Sequence, residues 1–265
     1  MRISVLFDLF KLTLIFGGIW AVFTFIPFSF DSPELQLSLD KEEKLGEMIV
    51  KELVFEDKSV IVVSNPELDS AMNIISKKLI QQLGTTNYEY KIIVIENEMI
   101  NAFTLPGGNI FVYTGLIKFS EHPEELAAVL AHEIGHVEKR HVVSKLIKEL
   151  GLSIMLSVLT GGDNVLTREI GRTALASDFD RKQEEEADMF ALELLEKSKI
   201  NPKIMATFFR RLNDKLGNYN ESLELLMSHP HNNSRIKSAL EYKTQKDFKS
   251  EKLNLNWELV QKSIQ

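Results

Sequence analysis

His132, Glu133 and His136 lie within Ala131-His-Glu-Ile-Gly-His-Val137, an H-E-x-x-H pentad in a segment with helical spacing. Histidines four residues apart share one helical face, so both imidazoles can grip a single Zn²⁺. The glutamate beside them can reach a metal-bound water and take its proton. The plainer alternative is a charged, solvated helix face that matches by accident, so the rest of the chain must supply what a metal site still lacks.

Two histidines leave a catalytic zinc one protein ligand short. Glu184-x-x-x-Asp188 offers it, because these carboxylates also share a helical face. One can ligate the ion while the other accepts the spare ring N–H of a ligating histidine and fixes its tautomer. Glu185 and Glu186, between them, read as a solvated acidic face. The chain has no cysteine, which excludes disulfides, thiolate zinc sites and cysteine nucleophiles together. Any metal must rest on histidine and carboxylate, the chemistry of an open catalytic site. A net charge of −7 argues against a nucleic-acid partner.

The elements that must hold these groups follow from periodicity. Ser120 is placed to cap a helix with Glu124 and Glu125 in its first turns, and Leu126, Leu130, Ile134 and Val137 form its apolar stripe. The pentad borders that stripe. Glu43–Val54 and Leu68–Leu83 are spaced as amphipathic helices, with Asn65-Pro66 as a helix start. Thr167–Glu196 reads as one long helix or two, and Asn201-Pro202 opens another. Leu150–Leu159 is apolar but too short to cross a bilayer. Lys91–Ile95 and Asn109–Tyr113 read as strands, and Met99–Tyr113 as a β-hairpin turning at Pro106-Gly107-Gly108. An edge strand at Asn109–Tyr113 could pair with an extended peptide.

The N-terminus differs from the rest. Leu12–Phe30 runs nineteen residues without an ionisable side chain, enough for a membrane-spanning helix. No small-residue cleavage pattern follows, which favours an uncleaved anchor over a signal segment. The basic residues give a weak lean towards an extracytoplasmic bulk, periplasm-like, with secretion after cleavage as the alternative. The expected organisation is an anchor over 1–30, a linker over 31–42, a catalytic domain over 43–242 and a charged tail over 243–265. In that tail Trp257 and Val260 suggest docking.

With these residues in hand, the chain resembles the membrane-associated zinc metalloproteases of the HtpX, CAAX prenyl protease and mitochondrial Oma type. The resemblance rests on five ordered blocks: Asn101–Gly108, Glu125–His136, Arg140-His141, Phe179–Asp188, and Ser228-His-Pro230 with Arg235-Ile236. It implies an α+β fold: a mostly helical, gluzincin-like zincin domain with a small sheet or hairpin beside the active-site helix. A single N-terminal transmembrane helix would precede it. It implies one Zn²⁺ per chain on His132, His136 and Glu184, Glu133 as general base, and Asp188 as the carboxylate behind a histidine. Asn101, Ala102, Phe103, Gly108 and Asn109 resemble the segment that aligns substrate. His229 matches a histidine that in relatives lies near the metal and helps the transition state or blocks the open position; a surface-loop residue before proline is the equal alternative. Arg235 either supports that loop or lines the cleft.

The implied function is a minimal anchored endopeptidase acting on unfolded, misassembled or membrane-associated polypeptides, in protein quality control. A non-catalytic zinc-binding chaperone or assembly factor is the alternative. Two departures stand out: Phe179-Asp180 where relatives often carry Tyr-Ser, and Ala191 where many carry glycine. His141 lies nine positions after His132, on the opposite face of a continuous helix, and reads as a helix-end or packing residue. His122 and His231 read as surface histidines.

Overall fold

Helical and strand periodicities alternate along the chain, and each has taken the form its spacing favours. The computed structural model describes residues 37–56, 60–161, 164–175, 179–216 and 232–264, with Lys11, Thr13 and Phe16. From Leu37 onward these residues form one unit. Its helices are α1 (Leu39–Val50), α2 (Pro66–Ile80), α3 (Thr114–Phe119), α4 (Pro123–Glu138), α5 (His141–Leu150) and α6 (Leu152–Leu159). They continue with α7 (Asn164–Leu175), α8 (Arg181–Lys197), α9 (Ile204–Leu216), α10 (Asn232–Glu241) and α11 (Trp257–Lys262). A small sheet of β1 (Lys91–Ile95), β2 (Ala102–Leu105) and β3 (Asn109–Tyr113) lies between α2 and α3 in the chain.

The sheet corrects one expectation. β2 and β3 pair antiparallel, as a hairpin turning through Pro106–Gly108, but β1 pairs parallel along the other side of β3. The order is therefore β1-β3-β2, and Asn109–Tyr113 is the central strand rather than an edge. All five of its residues are buried, as suits an apolar run covered on both faces. A guest strand cannot pair there; β2 flanks β3 on the other side from β1, with no further strand beyond it among the described residues. The turn works because Gly107 and Gly108 take positive φ, 77° and 79°, which a side chain would strain.

Alternation along β3 splits the interior in two. Ile110 and Val112 face a core shared by α2, α4, α8, α9 and α11. Phe111 and Tyr113 face a second core built from α1, α5, α6 and α7. Met155, Val158 and Leu159 of α6 are buried there, so the apolar stretch at 150–159 is packed within the protein. α4 touches the first core on every side, with all but one residue from Pro123 to Val137 buried.

Helix starts were largely as the residues suggest. Asn65 Oδ1 accepts from the Leu68 N–H at 2.9 Å and Pro66 opens α2. The α4 start is different: Pro123 takes the first turn after His122, and the Ser120 hydroxyl donates instead to the Leu116 carbonyl at 2.9 Å. Proline is the reason, since its fixed φ and missing N–H suit the first helical position. The segment from Thr167 is two helices, α7 and α8, rather than one. Beyond residue 243, Trp257 donates its indole N–H to the Ser120 carbonyl at 2.7 Å, and Trp257 and Val260 are buried.

The span expected over 12–30 lies, apart from Thr13 and Phe16, outside the described residues. Among the described residues no helix is long and apolar enough to cross a membrane.

Candidate metal centre

α4 and α8 carry the site, and their close approach has a specific cause. Gly135 faces Ala187 of α8: a Cβ on it would stand 3.0 Å from the Ala187 carbonyl oxygen and 3.1 Å from its Cα. A glycine there lets the two backbones pack tightly, and the short distance brings α8 carboxylates to α4 histidines.

His132 and His136, one turn apart, bring their Nε2 atoms to 3.0 Å. Glu184 reaches across from α8, with Oε2 3.6 Å from His132 Nε2 and Oε1 3.4 Å from His136 Nε2. Ligand atoms of the three residues all lie within 4.8 Å of one another, and all three side chains are buried. Asp188, one turn further along α8, puts Oδ1 2.9 Å from His132 Nδ1. His132 therefore turns Nδ1 to a carboxylate and Nε2 to the cluster. Glu133 is fully buried on the same helix.

Arg235 of α10 completes the charge arrangement. Its Nη2 donates to Glu184 Oε2 and lies 2.9 Å from His132 Nε2, while its Nε stands 3.1 Å from Asp188 Oδ1. The Phe209 ring packs under the guanidinium with its centroid at 4.8 Å. Burial pulls the Arg235 pKa down, but the charges of Asp188 and Glu184 outweigh it and hold the group above its ordinary value. It is a fixed cation.

The residues fit a divalent metal on donor type: two imidazole nitrogens and a carboxylate oxygen, all on buried side chains, converge on one place. Glu133 and Asp188 are buried on the same two helices.

The substrate-segment candidates divide. Asn101 and Ala102 are buried and Phe103 partly so, leading into and along β2, which packs on α4. Phe103 stacks on Phe111 at 5.0 Å between centroids. Gly108 and Asn109 lie instead at the far turn, where the Asn109 amide donates to the Pro106 carbonyl at 2.7 Å and holds the turn shut. His229 and His231 lie outside the described residues. His122 is exposed.

His141 is buried at a helix end and Glu186 is partly exposed, but His141 does not lie on the face opposite His132. The helix does not run through: it stops at Arg140, which takes the left-handed conformation at φ 55° and ψ 32°, and α5 begins at His141. That conformation costs a side-chain-bearing residue about 1–2 kcal/mol. Glu42 of α1 holds it in place, accepting from Arg140 Nε at 2.9 Å and Nη2 at 2.8 Å. The break swings the His141 ring back, so that its Nδ1 lies 3.0 Å from His136 Nδ1 and its Nε2 3.2 Å from Glu186 Oε2. Burial pushes the His141 pKa below its ordinary value, which favours the neutral ring. The readable signal was the Arg140-His141 pair itself, one of the five matching blocks.

The departures at Phe179 and Asp180 have local work. Phe179 stacks on the His136 ring, centroids 3.9 Å apart, and Asp180 caps α8 by accepting from the Gln183 N–H at 3.0 Å. Ala191 is fully buried.

Residues 66–243 match the profile of Peptidase family M48. The chain is 27% identical over 216 residues to the beta-barrel assembly-enhancing protease of Yersinia pestis, covering 77% of this chain and 44% of that protein. It is 28% identical over 244 residues to the mitochondrial metalloendopeptidase OMA1 of Schizosaccharomyces pombe, covering 90% of this chain and 72% of the relative. A crystal structure of S. mikatae Ste24p aligns over 90% of this chain and 65% of that one, at 20% identity and a TM-score of 0.45, a looser likeness. The chain thus spans under half the length of the first of these relatives. With the profile covering most of the chain and the histidine–glutamate cluster inside the matched span, the protein belongs to peptidase family M48.

Proposed function

We propose that this protein is a zinc-dependent endopeptidase that cleaves unfolded or misassembled polypeptides at a membrane surface. The observation that carries the reading is the buried cluster of His132, His136 and Glu184 with Glu133 on the same helix. Zinc is the ion of choice for two imidazoles and one carboxylate with a position left for water, and when bound it polarises a carbonyl and lowers the pKa of water towards ~7. The chain's own groups do the rest. Glu133 takes a proton from the attacking water on a carboxylate oxygen and returns it to the leaving amine. Asp188 Oδ1 stands 2.9 Å from His132 Nδ1, placed to favour the tautomer that leaves Nε2 for the ion. Arg235 pairs with the Glu184 and Asp188 carboxylates and holds them in place.

An extended substrate is best accommodated along β2, whose backbone offers pairing groups beside α4 and demands little of the substrate's sequence. That suits a protease of unfolded chains. Two relatives bear the names beta-barrel assembly-enhancing protease and mitochondrial metalloendopeptidase, which supports the protease reading. The apolar Leu12–Phe30 stretch supports anchoring, with the catalytic unit outside the cytoplasm. His229 is retained as a candidate gate over the open position. Chelator treatment followed by zinc return tests the reading: cleavage of unfolded casein should vanish and then recover. Undiminished cleavage after complete metal removal would overturn it.

A further inference from the structure

α8 places three carboxylates behind the metal cluster, and only two of them have a role so far. Glu184 faces both Nε2 atoms and Asp188 backs His132. Beside His136 Nδ1 stands His141 Nδ1, at 3.0 Å, and beyond it Glu186 Oε2 lies 3.2 Å from His141 Nε2. We propose that His141 and Glu186 form the positioning arm of His136, fixing the tautomer and the orientation with which it offers Nε2 to the metal.

The proton bookkeeping along this arm has a single solution. A neutral imidazole that gives Nε2 to a metal carries its hydrogen on Nδ1. His136 therefore donates from Nδ1, and His141 must accept on its own Nδ1. The hydrogen of a neutral His141 is then on Nε2, where the Glu186 carboxylate accepts it. Each ring nitrogen has one role and each donor has one acceptor. His132 reaches the same state through Asp188 alone. One helix thus supplies a ligand and the orienting carboxylate for each histidine, at positions 184, 186 and 188.

The backbone supports this assignment. Only the break at Arg140 brings His141 to the His136 side, and Glu42 and the Leu37 carbonyl hold that residue from α1 and the segment before it. Phe179 covers the His136 ring face, leaving its Nδ1 edge to His141. Glu186 is about 41% exposed, so the arm runs from the buried cluster to the protein surface.

The proposal rests on the metal reading above, and its test separates the two. In the full chain, zinc affinity by competition with a chromophoric chelator, and the visible spectrum of the cobalt-substituted protein, are compared for wild type, His141→Leu, His141→Asn and Glu186→Gln. His141→Leu should weaken zinc about 10–100-fold and shift the cobalt bands. His141→Asn, which keeps a polar atom near the lost Nδ1, should recover most of the affinity. Glu186→Gln should weaken zinc several-fold. Wild-type affinity and an unchanged cobalt spectrum in both His141→Leu and Glu186→Gln would overturn the proposal. If His141→Leu does not fold, Glu186→Gln decides alone, since its half-exposed side chain tolerates the change. A wild-type chain that takes up neither ion would sink the metal reading and this arm with it.

Discussion

Arg235 shows how one side chain can hold a site's electrostatics together. It is almost wholly buried, yet it meets two carboxylates and an aromatic face, so its charge is compensated from several sides. Removing one partner of such a buried set strands the others. Arg235→Ala should therefore lower stability by about 3–5 kcal/mol in a urea titration of the metal-free protein. Added zinc should restore part of the loss, because the ion supplies the missing positive charge. Arg235→Lys should rescue little, since an ammonium cannot reproduce the guanidinium's fixed fork. A metal-free Arg235→Ala protein as stable as wild type would mean the carboxylates are not held as described.

At the scale of elements, the site depends on how closely α8 lies along α4. Gly135→Ala should press a methyl against the Ala187 backbone and part the helices. Over-packing of this kind costs about 1–3 kcal/mol, against a helix-propensity gain of at most about 1 kcal/mol. The net expectation is lower stability together with weaker zinc binding, measured by denaturation and chelator competition on one preparation. Unchanged zinc affinity would show that helix separation does not set the ligand geometry. The elements also show what spacing can and cannot tell. The pentad and Glu184-x-x-x-Asp188 were legible because both lie on helices, where four-residue spacing fixes direction. The hairpin was legible from Pro106-Gly107-Gly108. The central place of β3 was not, because it depends on a parallel partner that no turn connects to it. The side that His141 takes was not legible for a similar reason: the left-handed Arg140 is held by Glu42, 98 residues away in sequence. A local pattern cannot report a distant carboxylate.

Across the whole molecule, the segment after residue 243 returns to brace the approach to α4. Trp257 and Gln261 hydrogen-bond the carbonyls of Ile117, Lys118 and Ser120, and the Leu253 N–H reaches Glu124 Oε1 at 2.6 Å. The chain's charged tail is thus tied to the helix that carries His132 and His136. Trp257→Ala should cost about 3–5 kcal/mol, read as a lower urea midpoint. A change under about 1 kcal/mol would mean that this segment merely rests on the surface.

The account as a whole requires that metal binding and proton transfer be separable, since one helix carries both His132/His136 and Glu133. The direct test is Glu133→Gln in the full chain, with zinc content and cleavage of unfolded casein measured on the same preparation. Near-stoichiometric zinc with cleavage reduced by a factor on the order of 10²–10⁴ is the predicted result. Wild-type cleavage by a zinc-replete Glu133→Gln protein would contradict it.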